Sequence, residues 1–300
     1  MTHPDFSFNT TAEEVATIFA AQIRGKNVLI TGTSLNGIGF ETARVLAKHA
    51  NLVIITGHNS NRLKLAEETI KRELPSANIR PLILDLSSLS SVRKAAAEVD
   101  ALPEPLHVII HNAAATIGLF TLTVDNLESQ IATDHISPFL FTKLLAPKLL
   151  AARTAHYIPR VVFVSSVGHG LGTGAKAANV LCAIELSKRS GGQINAYSLH
   201  PGAIYTNITQ KGEGIAGLQK LGYLDSDGLP SNDKEFKTMG QGAATTVAAA
   251  LDPRLDDTPG AYLADCVVEN ELVAPHCLDS ANAERLWTMT EEIIGEKFAF

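Results

Sequence analysis

Cysteine is scarce, with Cys182, Cys266 and Cys277 alone in 300 residues. An odd number without a Cys-x-x-Cys pair argues against a disulfide framework or a zinc site and points to a reducing compartment. Blocks of one charge sign are missing too: 25 Lys and Arg are interspersed with 31 Asp and Glu, for a net charge of −6. There is no basic stripe interleaved with aromatics, so nucleic acid is not an expected partner. Nor is any apolar run long and uncharged enough to span a bilayer, and the opening MTHPDFSFNTTAEEV has neither a basic leader nor an apolar core. The expectation is a soluble, cytoplasmic chain with no membrane partner, acting on a small molecule.

Hydrophobic residues make up 45% of the chain, ample for one buried core, and no repeat or low-complexity linker divides it. Short β-branched runs alternate with longer helical patterns. The runs are NVLIT (27–31), LVIIT (52–56), IRPLIL (79–84), HVIIH (107–111), RVVFV (160–164) and INAYSL (194–199). They are apolar on both faces, as strands covered by helices on both sides of a parallel sheet must be. Helical patterns fill 39–49, 62–73, 88–99, 135–152, 175–189, 240–251 and 281–300. This alternation predicts a single-domain α/β fold with a doubly wound parallel sheet, Rossmann-type, over 25–300. Ahead of it, Thr11 and Glu14 make a capping box opening an amphipathic stretch over 15–23, an extension helix within 1–24. A Gly-, Asp- and Ser-rich stretch at about 203–237 is expected to cap a pocket.

Directly after the first run comes Thr31-Gly32-Thr33-Ser34-Leu35-Asn36-Gly37-Ile38-Gly39, and then a helical pattern. Strand, glycine-rich turn and helix place a pyrophosphate on the free N–H groups of a helix N-terminus. An ordinary tight turn would also explain the glycines; the flanks favour a dinucleotide site. An NAD-preferring site needs a carboxylate at the end of the second strand for the ribose hydroxyls, and the sequence there reads Thr56-Gly57-His58-Asn59. Without that acid, His58 and Arg62 are candidate partners of a 2′-phosphate, and NADP is expected ahead of NAD.

Thr31-Gly32 with Gly37-Ile38-Gly39 resembles the fingerprint of the short-chain dehydrogenase/reductase family, with one extra loop residue as in fungal-type members. The resemblance continues through Asp85-Leu86, Asn112-Ala113-Ala114, Ser165-Ser166 and Pro201-Gly202 with Thr206, and covers nearly the whole chain. The segments Phe6 to Val15 and Asn282 to Trp287 are similar to retinol-dehydrogenase-like members, fungal ones above all. The resemblance implies cofactor contacts from Gly32, Ser34, Gly37, Ile38, Gly39, Asp85, Leu86, Asn112, Ala113, Lys176 and Thr206, beside His58. It also implies a possible homodimer through the helices at 135–152 and 175–189.

In that family a tyrosine hydroxyl exchanges the proton at the substrate carbonyl, and a lysine one helical turn later lowers its pKa. Ser166, ending RVVFVSS, matches the serine that hydrogen-bonds the substrate oxygen, and Lys176 matches the lysine. Four residues before Lys176 stands Gly172, and no Tyr-x-x-x-Lys exists anywhere in the chain. The family's relay asparagine falls on Asp134, which equally reads as a helix N-cap. His169, Tyr205 and Asp134 are the candidates for a substitute acid or base, His169 first because imidazole titrates near neutrality. The expected reaction is NADP-linked chemistry at a hydroxyl or carbonyl of a small apolar metabolite in fungal secondary metabolism. A non-redox cyclase, isomerase or dehydratase on the same scaffold, or an inactive binding protein, are the alternatives opened by the missing tyrosine.

Overall fold

The computed structural model describes residues 5–115, 120–171, 174–207 and 214–300. All six expected strands form: β1 (Asn27–Ile30), β2 (Leu52–Gly57), β3 (Ile79–Ile83), β4 (Val108–His111), β5 (Arg160–Val164) and β6 (Asn195–Leu199). A hairpin adds β7 (Tyr262–Ala264) and β8 (Val267–Val268), too short to leave a period in the sequence. The eight-stranded sheet has the order β3-β2-β1-β4-β5-β6-β7-β8, parallel except for β8. Strand order reverses between β1 and β4, the point at which such a sheet opens a crevice above its carboxyl ends. β3 differs from the doubly covered pattern: it is the sheet edge, paired with β2 alone, and Ile83 is 47% exposed. Pro81 is tolerated there because an edge strand has no second ladder to supply.

The main helices are α1 (Ala12–Ile18), α2 (Ile38–Leu46), α3 (Ser60–Glu73), α4 (Leu89–Asp100), α5 (Ser137–Leu150), α6 (Ala175–Arg189), α7 (Met239–Leu251) and α8 (Ser280–Ile294). Helices α2, α3 and α7 cover one face of the sheet, with α1 laid over α2 and α7, and α4, α5 and α6 cover the other, with α8 laid over α6. The Thr11–Glu14 capping box is present, so α1 starts earlier than the apolar period alone indicated. It ends before Phe19, whose ring meets Phe6 edge-on at 6.0 Å, and a second turn, Ala20–Ile23, follows. Both ends of the capping segment are tied together by Lys237 N–H donating to Ala203 O at 2.8 Å.

Helix α8 packs along α6, and the end of the chain reaches α5 at Phe139 and Lys143. Trp287 packs edge-on against Phe139 at 4.7 Å, and the Arg189 guanidinium sits 5.1 Å from the Trp287 ring centre. Gly295, at φ +72°, turns the chain back so that Phe298 stacks on Trp287. Of the helix pair expected to form a dimer surface, α6 therefore carries this chain's own terminal helix. Among the described residues no helix is long and apolar enough to cross a membrane.

Candidate active site

The glycine-rich turn is shaped by close approach to the end of β4. Gly32 has φ +72°, and a Cβ there would lie 2.7 Å from Ala113 Cα. At Gly39 a Cβ would fall 2.3 Å from Asn112 Nδ2 and 2.5 Å from Gly32 O. Asn112 is the brace: its Nδ2 donates to Thr31 O (2.9 Å) and Gly32 O (3.0 Å), and its backbone N–H to Thr31 Oγ1 (3.0 Å). Asn36, at φ +58°, lies inside the lengthened loop. Gly37 is the N-cap of α2 and supplies no side-chain cap, which leaves that helix terminus open to an anion.

A cleft of about 590 Å³ opens above the turn. It runs from His58 and Arg62 beyond β2, past Asp85 and Leu86, to Lys176, Pro201 and Thr206. The sequence-predicted residues Gly32, Ser34, Gly37, Ile38, Asn112 and Ala113 also line it, whereas Gly39 is buried behind the turn. Asp85 is pre-oriented, its Oδ1 accepting from Ser87 N (2.9 Å) and Ser87 Oγ (2.6 Å). His58 and Arg62 are exposed, and among the described residues the Arg62 guanidinium has no hydrogen-bond or ion-pair partner. Asn207 was missed: its Nδ2 donates to Leu35 O (3.0 Å), stitching the segment after Pro201-Gly202 to the glycine-rich turn. Its only signal was adjacency to Thr206.

At the far end Lys176 Nζ donates to Val164 O (3.1 Å) and pairs with Asp134 Oδ2 (3.1 Å). Asp134 Oδ1 accepts from Ala115 N at 2.7 Å. The N-cap reading of Asp134 is corrected: the residue lies inside a π-helical turn, Ala132–Ile136, that runs into α5. Such a turn is a frequent feature of functional sites. Ser166 Oγ accepts from Gly168 N (3.0 Å) at the start of the 3₁₀ turn Val167–Leu171. Gly172 lies outside the described residues.

His169 is buried and, like Ser166 and His200, is not among the residues that line the cleft. Its Nδ1 lies 2.6 Å from Ser166 O, and its Nε2 lies 3.2 Å from both Ala274 N and Leu272 O. Its ring also meets Tyr262 edge-on at 5.0 Å. Both ring nitrogens are taken by backbone groups, so His169 pins the loop after Ser166 to the 270–278 segment. Tyr205 is likewise engaged, its OH donating to Gly228 O at 3.2 Å inside the capping segment. The sequence reading overlooked His200, the residue after β6, whose Nδ1 accepts from Val167 N (3.4 Å). Burial, with help from the Lys237 charge, pushes His200 down to about 4, so it is a neutral imidazole at pH 7.

An open crevice at the switch point of a parallel sheet, floored by a glycine-rich turn, defines a dinucleotide-binding protein of the Rossmann class. The profile of the short chain dehydrogenase family matches residues 26–213. Short-chain dehydrogenase TIC 32 A, chloroplastic, of Brassica napus is 34% identical over 95% of this chain and 93% of its own. Retinol dehydrogenase 12 of Mus musculus is 31% identical (91% and 88%), and the short-chain dehydrogenase/reductase prx1 of Penicillium roqueforti 30% (91% and 86%). A crystal structure of an uncharacterised protein from Mycobacterium paratuberculosis superposes with a TM-score of 0.68 at 25% identity, covering 94% of this chain and 98% of that one. The chain belongs to the short-chain dehydrogenase family.

Proposed function

We propose that the chain is a cytoplasmic, NADP-dependent oxidoreductase acting on a hydroxyl or carbonyl of a small apolar metabolite in fungal secondary metabolism. The observation that carries the cofactor preference is the Arg62 guanidinium, without a partner among the described residues, at a β2 end that lacks a carboxylate. The same position suits a 2′-phosphate, which a guanidinium holds with paired hydrogen bonds. The cofactor fits the cradle: at Gly37 and Gly39 the backbone approaches neighbouring atoms so closely that a Cβ would meet them at 3.1 Å and 2.3 Å. The fungal relative supports the fungal setting, and Val167, 47% exposed directly after Ser166, supports an apolar substrate.

When bound, the nucleotide supplies or accepts a hydride. The chain's own residues do the rest. The α2 terminus and the Gly32, Ser34, Gly37 and Ile38 backbone hold the pyrophosphate, Asp85 and Leu86 the adenine, and Lys176 the ribose hydroxyls next to the reacting carbon. Ser166 hydrogen-bonds the substrate oxygen. His200, whose Nδ1 accepts from Val167 N directly after Ser166 and whose Nε2 therefore carries the hydrogen, is assigned a hydrogen bond toward the substrate oxygen, the proton that the family's tyrosine would handle being exchanged with water. A homodimer through α5 and α6 remains part of this reading as the family resemblance implies it, with α8 covering much of α6.

Fluorescence titration with NADPH and NADH tests the cofactor assignment, with Gly37→Asp as the blocked site. Tight NADPH binding, weaker NADH binding and loss of both in the variant are the expected results; a wild-type chain that takes up neither nucleotide would rule the reading out. The two histidines separate in a parallel test. His169→Ala should cost about 1–3 kcal/mol in urea unfolding, because a buried N–H loses its acceptor. His200→Ala should lower kcat with nucleotide affinity unchanged. Full turnover in His200→Ala would remove that role from His200, and a product with the same number of hydrogens as the substrate, or differing by water, would favour the redox-neutral reading.

A further inference from the structure

The two ends of the cleft differ in charge. At the β2 end stand the exposed side chains of His58 and Arg62, suited to the adenosine half. On the nucleotide reading proposed for this cleft, which the present inference takes as its premise, the nicotinamide half lies at the β5 end beside Lys176. A nicotinamide ring is positively charged when oxidised and neutral when reduced. An isolated ammonium next to it would therefore penalise the oxidised form alone.

Lys176 is not isolated. Its Nζ is 3.1 Å from Asp134 Oδ2, and the Asp134 side chain is only 5% exposed. The other carboxylate oxygen takes the Ala115 N–H, so both oxygens are engaged within the chain. The ammonium, 26% exposed, is the member of the pair nearer the opening, with the carboxylate behind it. Burial keeps this pair's field from being screened as a surface pair's would be.

We infer that Asp134 is a charge-balancing residue of the cofactor site: its carboxylate cancels the field of Lys176 at the nicotinamide end, so that the cleft holds the oxidised nucleotide without repulsion. A merely structural Asp134, clamping Lys176 to the Ala115 loop, would affect oxidised and reduced nucleotide alike. The ratio of the two dissociation constants distinguishes these roles.

The experiment measures Kd for NADP+ and NADPH by calorimetry on the full chain. In Asp134→Asn, which keeps an oxygen for Ala115 N–H, the ratio Kd(NADP+)/Kd(NADPH) should rise about tenfold. Lys176→Met should move it in the opposite direction, and the double variant should return it to within about threefold of wild type. An unchanged ratio in Asp134→Asn, with both affinities weakened equally, overturns the inference and leaves the nucleotide site standing. If Asp134→Asn shows no melting transition, Lys176→Met decides alone, and an unchanged ratio there overturns the inference as well. A wild-type chain binding neither nucleotide removes the cofactor reading and this inference together.

Discussion

Gly39→Ala should weaken NADPH binding roughly a hundredfold, the scale of loss when a binding element is displaced by about an ångström. The added Cβ would sit 2.3 Å from Asn112 Nδ2 and 2.5 Å from Gly32 O. Neither neighbour can withdraw freely. Asn112 Nδ2 is held by the carbonyls of Thr31 and Gly32, and Gly32 O belongs to the phosphate-binding turn itself. Relief therefore requires α2 to move away from the turn, which separates the helix terminus from the rest of the cradle. The same overpacking should cost about 1–3 kcal/mol of stability. Nucleotide titration and thermal unfolding of the variant give both numbers. Wild-type affinity in Gly39→Ala would show that this turn does not carry the nucleotide.

Trp287→Ala should destabilise the chain by about 3–5 kcal/mol in urea unfolding, the range for removing a buried tryptophan. Trp287 is 2% exposed and joins Phe139, Phe298 and the Arg189 guanidinium in one contact. Its Nε1 donates to Glu291 Oε1 (3.1 Å), which also accepts from Phe298 N (2.8 Å), so the tail's return turn depends on it. Uncovering α5 and α6 should also increase self-association, read by sedimentation. Unfolding close to the wild-type midpoint would show that α8 contributes little.

Two buried histidines, one at this interface and one on β4, make the chain acid-sensitive. His135 Nε2 lies 2.9 Å from Thr290 Oγ1, while its Nδ1 has no hydrogen-bond partner among the described residues. Burial pushes His135 from its ordinary 6.5 down to about 4, and His111 to about 3. As pH falls below 6.5 the unfolded chain takes up these protons before the folded one does. Stability present above that pH is then lost progressively down to about 4, by up to roughly 3 kcal/mol per histidine. Urea midpoints between pH 7 and 4.5 that do not fall would contradict this.

Much of the architecture is legible in the order of residues. Five of the six runs from Asn27 to Leu199 became strands because burial on both faces leaves a continuous apolar signature, and β3 followed its strand pattern at the sheet edge although Ile83 is exposed. The glycine-rich turn was legible for a steric reason: only glycine permits the backbone approach seen at Gly32 and Gly39. Hairpin β7–β8 was not, since strands of three and two residues have no measurable period. His169 was chosen for its intrinsic titration range, a property of the residue type. Its role was set instead by Ala274, more than a hundred residues later in the chain. Asp134 matched both a helix cap and a relay residue, and only packing decided that its partner is Lys176.

Periodicity, capping boxes and turn chemistry are local, so the order of strands and helices and the position of the phosphate-binding turn followed from the amino acids alone. Partnership is not local. Whether His169 is free or pinned, whether Lys176 stands alone or paired, and whether α5 and α6 meet a second chain or their own terminal helix all depend on which distant segments the sheet brings together. Hydrogen bonds and ion pairs act over a few ångströms, and the tertiary fold alone sets those separations.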